Sequence, residues 1–461
     1  MIFSRQAPGS ALNSPVSVSP SAANVPFLRL GGLFFLHSLA PGLWMISLGN
    51  VLNATGHGKW VALAFALGPV AALVSPLWIG SLADQRVEAQ KLLRWLCGLS
   101  AIFLFLSFYS LHQGWGAGRF LFWQSLHALF FTPTWSLVAT VVFAHIPDPQ
   151  RQFPLLRTAA TLSWILAGVI VSFGLKADHS PVGGLVASGV LVVVTFYTYW
   201  IPATPPRSPI GSGRRDFRAI FGLEALRIFS KGDFRVFLIT TGCLAIPLAA
   251  YFPFAPQQLT LMGLENPTAW MTLGQVAETI SMLCLGWFVL KWRVKWVMAF
   301  GLICASIRYY LLAIGAVTGQ LVWIYPAMAL HGLVFTFYFV TSQVFLEMRV
   351  PMEIRARAQA LLTTVNGGIG SLLGALGSGW LHETCAKIPV SPLQQRAIFW
   401  FVLALFATGV LVYFLHHYRG RDASNPSADS CTVQNSEGQE AQKVPDAMDE
   451  KPSPFAGERV G

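Results

Sequence analysis

Twelve separate stretches of this chain are apolar over roughly the 20 residues that a helix needs to cross a bilayer. They run over about 27–52, 60–82, 92–111, 120–145, 153–175 and 183–201, and then 234–261, 268–290, 294–317, 321–346, 354–381 and 396–417. In hydrocarbon the backbone N–H and C=O groups must be satisfied within the segment, which leaves helices as the solution for runs of this length. The expectation is an all-α polytopic membrane protein of twelve transmembrane helices. Composition agrees: 54% of the 461 residues are hydrophobic and 11% are charged, against roughly 25% charged in soluble domains.

The runs fall into two groups of six. Between them, 202–233 holds Pro202, Pro205, Pro206 and Pro209 and the basic cluster Arg214, Arg215 and Arg218. The domains expected are therefore a six-helix bundle over 27–201, a linker over 202–233 and a second six-helix bundle over 234–418. Segment 1–26, rich in Ser, Pro and Ala, is expected to be a disordered tail ahead of a retained helix, because the first run is too long for a cleaved signal core. The polar stretch 419–461 is expected to be a second disordered tail.

Net charge is +11, but the basic residues sit in short loops between apolar runs. That pattern marks the cytoplasmic side of a membrane protein and not a nucleic-acid site. With both termini inside, the inner side holds Arg86, Lys91, Arg94, Arg151, the linker cluster, Lys291, Arg293, Lys295, Arg349, Arg355 and Arg357. The outer side keeps Lys59, Arg119, Lys176, Lys387 and Arg396. The chain is placed in the cell's inner (plasma) membrane, with lipid as its surroundings.

Several chemistries are excluded. The six Cys residues form no C-x-x-C pair, so neither a disulfide framework nor a zinc site is indicated. His382-Glu383 lacks the second His of a zinc-protease helix, and no P-loop is present. An enzyme is not expected, nor any cofactor or metal; an ion gradient is left as the energy source. A non-transporting sensor would need an output domain, and the longest segment outside the runs is the C-terminal tail.

One residue stands out chemically. Glu278 lies midway along the eighth run among Trp, Met, Leu, Val, Gly and small polar residues. A carboxylate at the centre of a membrane helix costs about 2.5–3.5 kcal/mol on insertion scales. It is read either as half of a structural ion pair or as a group that handles protons or substrate. Arg308, inside the ninth run, lies at a similar depth and is expected to meet Glu278 or a polar cluster beside it. In the eleventh run Gly370 and Gly374 form a G-x-x-x-G step that lets helix backbones approach closely.

The six-plus-six layout joined by a basic loop resembles the major facilitator superfamily, whose substrate site lies near the midplane between two halves. After the second run, Gly80-Ser81-Leu82-Ala83-Asp84-Gln85-Arg86 resembles the first half of that superfamily's G-x-L-A-D-R loop motif. The resemblance implies that Asp84 and Arg86 latch the halves in one state. Further segments are similar to the bacterial nucleoside:proton symporters. These are Gly42-Leu43-Trp44 and Leu48-Gly49, Pro133-Thr134, Phe153-Pro154-Leu155-Leu156-Arg157…Thr161 and Gln275-Val276-Ala277-Glu278-Thr279. Arg308, Phe345-Leu346-Glu347, Ile354-Arg355-Ala356-Arg357-Ala358-Gln359 and Asn366-Gly367-Gly368-Ile369-Gly370 continue the series.

That resemblance implies proton-coupled nucleoside uptake by alternating access, by a monomer. It implies a nucleoside site lined by Arg157, Thr161, Trp164, Gln275, Glu278 and Phe335, with Glu278 as the proton-coupling group. The alternatives are another small polar metabolite, such as a sugar or nucleobase, or uncoupled passage. Spacing is compatible: Arg157, Thr161 and Trp164 stand at i, i+4 and i+7 and share one helix face, as do Gln275 and Glu278. Two positions depart from the family's pattern. Thr336 stands where the family has an acid, and His331 where it has a tyrosine. His331 is accordingly expected both to line the site and to share in proton coupling, since imidazole is titratable near neutral pH.

Overall fold

The computed structural model describes residues 27–85, 87–147, 149–205, 223, 226–229, 232–350 and 352–420. Arg86 and the side chain of Asp84 lie outside the described residues, as do both tails and most of 202–233. All regular elements described are helical. Among the described residues, ten helical stretches are long and apolar enough to cross a membrane, and the chain is a multi-pass membrane protein.

Two of the expected runs, the first and the eighth, are broken helices. The first run forms Phe27–Gly42 and Leu48–Ala54, joined by a turn over 43–47. The break follows Pro41, which cannot donate a helical hydrogen bond, and Gly42. The eighth run forms Pro267–Met271 and Leu273–Lys291. At the break, the Thr272 hydroxyl donates to the Ala269 carbonyl at 2.6 Å, a back-bond of the kind that bends helices.

Other runs are irregular as well. The seventh divides at Ala250 into Gly232–Ala249, which contains Pro247, and Tyr251–Leu261. The tenth and eleventh carry wide π-type turns at Phe335–Val340 and Thr364–Gly370. Such turns occur often at functional positions. The twelfth, Pro392–His417, starts with a full capping box: the Ser391 hydroxyl accepts from the Gln394 N–H and the Gln394 amide oxygen from the Ser391 N–H.

Packing follows the chemistry of each face. In the eighth run Val276, Ile280, Leu283 and Trp287 are exposed and recur at helical spacing, while Gln275, Glu278, Ser281 and Leu285 are buried. Leu283 is 76% exposed, a position that suits lipid and would be costly in water. Helices of the first six runs pack mainly on one another: the first on the fifth and sixth, the third on the fourth and sixth. Those of the last six do likewise, the ninth on the tenth and twelfth and the seventh on the eleventh.

Contacts between the two groups run mainly between the fifth and eighth, the second and eleventh, and Leu48–Ala54 and Tyr251–Leu261. The small-residue step in the eleventh run does what its spacing suggests. A Cβ on Gly370 would lie 2.7 Å from the Gly242 carbonyl, and one on Gly374 would lie 2.8 Å from Ile246 Cα. Both glycines therefore admit the seventh helix at backbone distance.

Candidate functional site

The fifth and eighth runs meet at midspan, and there the chain concentrates its polar groups. On Pro149–Val169, Arg157, Thr161 and Trp164 share the face turned to the other half. Thr161 is buried and its hydroxyl donates to Glu278 Oε1 at 3.4 Å, a long bond that bridges the two halves. Arg157 is turned to the same interface. It makes no ion pair with Glu278 among the described residues, and its guanidinium stands over the Phe335 ring at 5.7 Å. Trp164 faces Phe252 across the interface, ring centroids 6.1 Å apart.

Gln275 lies one turn before Glu278 on the same buried face. Its Oε1 is buried and accepts no hydrogen bond from described residues, and the Thr336 hydroxyl is in the same condition. Glu278 is held close to the tenth run by Gly332, since a side chain there would strike the Glu278 backbone. The structure thus brings together Arg157, Thr161, Gln275 and Glu278, with Trp164 and Phe335 as flanking aromatic faces.

Arg308 does not meet Glu278. It is fully buried on Val294–Thr318 and turned toward a polar cluster on the far side of the tenth run. Its Nη1 lies 2.7 Å from His331 Nδ1, and its Nη2 donates to the Tyr309 hydroxyl. The Tyr251 and Tyr309 rings cover the guanidinium at 4.6 and 4.5 Å. Of the two partners expected for Arg308, the polar cluster is the one found. Depth along the helices placed Arg308 level with Glu278, but the direction of its side chain follows from packing.

His331 connects the two centres. Its ring stacks on Tyr251 at 4.6 Å and meets Phe252 edge-on at 5.3 Å. Phe252 in turn faces Trp164, so an aromatic series runs from the interface into the second half. Phe252, on the seventh run, extends this series to the first half.

A second set of contacts ties the halves together at the end away from 202–233, and sequence reasoning did not anticipate it. Asp178 is buried in the turn after the fifth run, and its Oδ1 accepts from the Thr268 N–H at 2.8 Å. Ser172 donates to the same carboxylate and accepts from the Ala269 N–H at 2.9 Å. These two side chains cap Pro267–Met271, whose own preceding residue, Asn266, provides no side-chain cap. Nearby, Asn50 donates to the Pro256 carbonyl and to the Thr260 hydroxyl. The one sequence signal was an Asp in a short outer turn, and its partner lies 90 residues away.

Beyond those contacts lies a cavity of about 490 Å³, lined by Asn50, His179, Gln257, His382 and Arg396 among others. None of its lining residues belongs to the midspan set. No group of three or more potential metal ligands occurs among the described residues.

A protein-family model described as "Nucleoside H+ symporter" matches residues 26–423. The chain belongs to the nucleoside H+ symporter family. Among its relatives in this family, YegT of Escherichia coli (strain K12) is 31% identical over 406 residues, covering 86% of this chain and 94% of YegT. The xanthosine permease of the same organism is 24% identical over 411 residues, with 85% and 96% covered. A crystal structure of a mutant of the nucleoside transporter NupG superposes with a TM-score of 0.76 at 21% identity, over 85% of this chain and all of the other. The D-xylose-proton symporter superposes with a TM-score of 0.66 at 12% identity, over 86% and 98%. These likenesses establish the major facilitator fold. Membership in this family makes the chain a secondary transporter and not an enzyme, with no cofactor needed for its energy.

Proposed function

We propose that this chain takes up a nucleoside together with a proton by alternating access, binding the cargo at midspan between a half over 27–201 and a half over 234–418. Family membership supports the reaction class. The observation that carries the site is Glu278, a buried carboxylate in the interface between halves, bonded weakly to Thr161 and free of any ion pair among the described residues. A carboxylate held by a permanent partner would be a structural element; this one is left available for a proton.

Arg157 and Gln275 offer a cation and an amide to the cargo's oxygens and nitrogens. Trp164 and Phe335 offer aromatic faces to a base. Glu278 takes a proton when its side of the interface meets water and releases it when the interface turns. With Thr336 in place of an acid, Glu278 is the carboxylate at midspan that does this work. Loop charge supports cytoplasmic termini and residence in the inner membrane, and the protein acts as a monomer in lipid.

Uptake of a radiolabelled nucleoside panel by transporter-deficient cells, with and without a protonophore, tests this reading. The expected result is saturable nucleoside accumulation that the protonophore abolishes. Accumulation of a sugar alone would change the cargo, and nucleoside uptake indifferent to the protonophore would remove the coupling.

A further inference from the structure

The hydrogen bond between Arg308 and His331 constrains more than position. A guanidinium has five N–H donors and no acceptor. At 2.7 Å from Nη1, His331 Nδ1 must therefore present its lone pair. The ring proton then resides on Nε2. Rotation of the ring to exchange its two nitrogens is opposed by Tyr251, stacked at 4.6 Å with a 17° interplanar angle, and by the edge-on Phe252. Arg308 is itself held, sandwiched by Tyr251 and Tyr309 and bonded to the Tyr309 hydroxyl.

The Cδ2 side of the imidazole lies against the eighth helix. Gly274 packs on Cδ2, the ring carbon bonded to Nε2: a Cβ there would lie 3.2 Å from it. Gly274 directly precedes Gln275, whose Oε1 is buried without a donor. Nε2 has no hydrogen-bond partner among the described residues. A donor without an acceptor and an acceptor without a donor thus stand on neighbouring residues of the tenth and eighth helices. The charged and titratable groups on the surrounding helices are Arg308, Cys304 and Tyr309 on the ninth, Tyr251 on the seventh and Glu278 on the eighth.

We propose that His331 is a tautomer-locked N–H donor to an oxygen of the cargo, with Arg308 as the positioning residue that locks it. This rests on the nucleoside reading of the same site and narrows it. The group read is an uncharged carbonyl or hydroxyl oxygen, and Gln275 accepts from an adjacent N–H or O–H. It also removes His331 from proton coupling, because a proton on Nδ1 would break the bond and set a second positive charge against Arg308.

Two measurements test the proposal. In purified, ¹⁵N-histidine-labelled protein at about pH 7, NMR should show His331 with Nδ1 unprotonated and Nε2 protonated, assigned by comparison with His331→Gln. Arg308→Gln should turn this single form into a mixture of tautomers. A proton on Nδ1, or on both nitrogens, in the wild type overturns the lock. In proteoliposomes, His331→Phe keeps the aromatic stack and removes the donor, so KM for nucleoside should rise about tenfold, the worth of one hydrogen bond. His331→Gln, whose amide nitrogen can stand in for Nε2, should restore most of it, and both should keep protonophore-sensitive accumulation. An unchanged KM in His331→Phe removes His331 from the cargo, and loss of accumulation would make it a proton carrier. If the wild type carries no nucleoside, the function proposed above fails, while the NMR result still decides the lock.

Discussion

Two buried ionic centres lie within this membrane protein, and they are built in opposite ways. Around Arg308 every contact is made within the second half, short and enclosed by rings. Around Glu278 the contacts cross between halves, the one hydrogen bond is 3.4 Å long, and Gln275 and Thr336 keep polar atoms without partners. Buried polar groups are ordinarily satisfied, and both centres fall short of that, since Arg308 Nε and the Tyr251 hydroxyl also lack partners among the described residues; what separates the two is that the Arg308 contacts are short and lie within one half, while those of Glu278 are long and cross between halves. On the function proposed above, the Arg308 centre serves as a frame and the Glu278 centre receives the ligands.

The largest expected effect tests the second half of that contrast. Glu278→Gln preserves size and one hydrogen bond while removing the exchangeable charge. Accumulation of nucleoside driven by a pH gradient in proteoliposomes should disappear, and exchange between equal internal and external concentrations should continue. Protonophore-sensitive accumulation by this variant would move coupling away from Glu278.

Next comes Arg308→Ala, which leaves a cavity and strips the partners from His331 Nδ1 and the Tyr309 hydroxyl. A loss of about 3 kcal/mol in stability is expected from those combined defects, read as a lowered Tm in detergent. Arg157→Ala should do the reverse. Its stability should hold, while nucleoside Kd by calorimetry weakens roughly thirtyfold, corresponding to about 2 kcal/mol for hydrogen bonds to a charged group. If the two variants exchange behaviours, frame and binding centre have been assigned backwards.

The smallest effect concerns the seal at the outer end. Asp178→Ala removes one cap of Pro267–Met271, worth about 1 kcal/mol. It should shift the balance between conformers severalfold toward opening at that end. Spin labels on 55–58 and 263–266 would report this as a larger population of long distances. An unaltered distance distribution would make Asp178 a local cap with no part in closure.

Much of the fold was legible in the sequence because lipid imposes a length and a polarity that hydropathy can read. The breaks were less so. Pro41 and Gly42 signal an interruption, whereas Thr272 bends its helix through a hydroxyl that looks ordinary in sequence. At the site, helical spacing put Arg157, Thr161 and Trp164 on one face and Gln275 with Glu278 on another, and the structure sets these faces opposite each other. Arg308 shows the limit of such counting, since about 1.5 Å per residue measures depth but not direction. Asp178 and Phe252 were not legible as partners at all. Their roles depend on which residues of the other half arrive beside them.

Gly332 gives the contact between the eighth and tenth helices a kinetic meaning. Because nothing separates its Cα from the Glu278 backbone, the carboxylate on one helix and the His331 ring on the other are joined through a contact with no compliant side chain between them. If His331 reads the cargo as proposed, a tilt of the tenth helix that withdraws the imidazole carries Glu278 along within the same movement. On the reading proposed above, release of cargo and release of the proton then share one barrier. Leakage of either species alone would require the two backbones to part first.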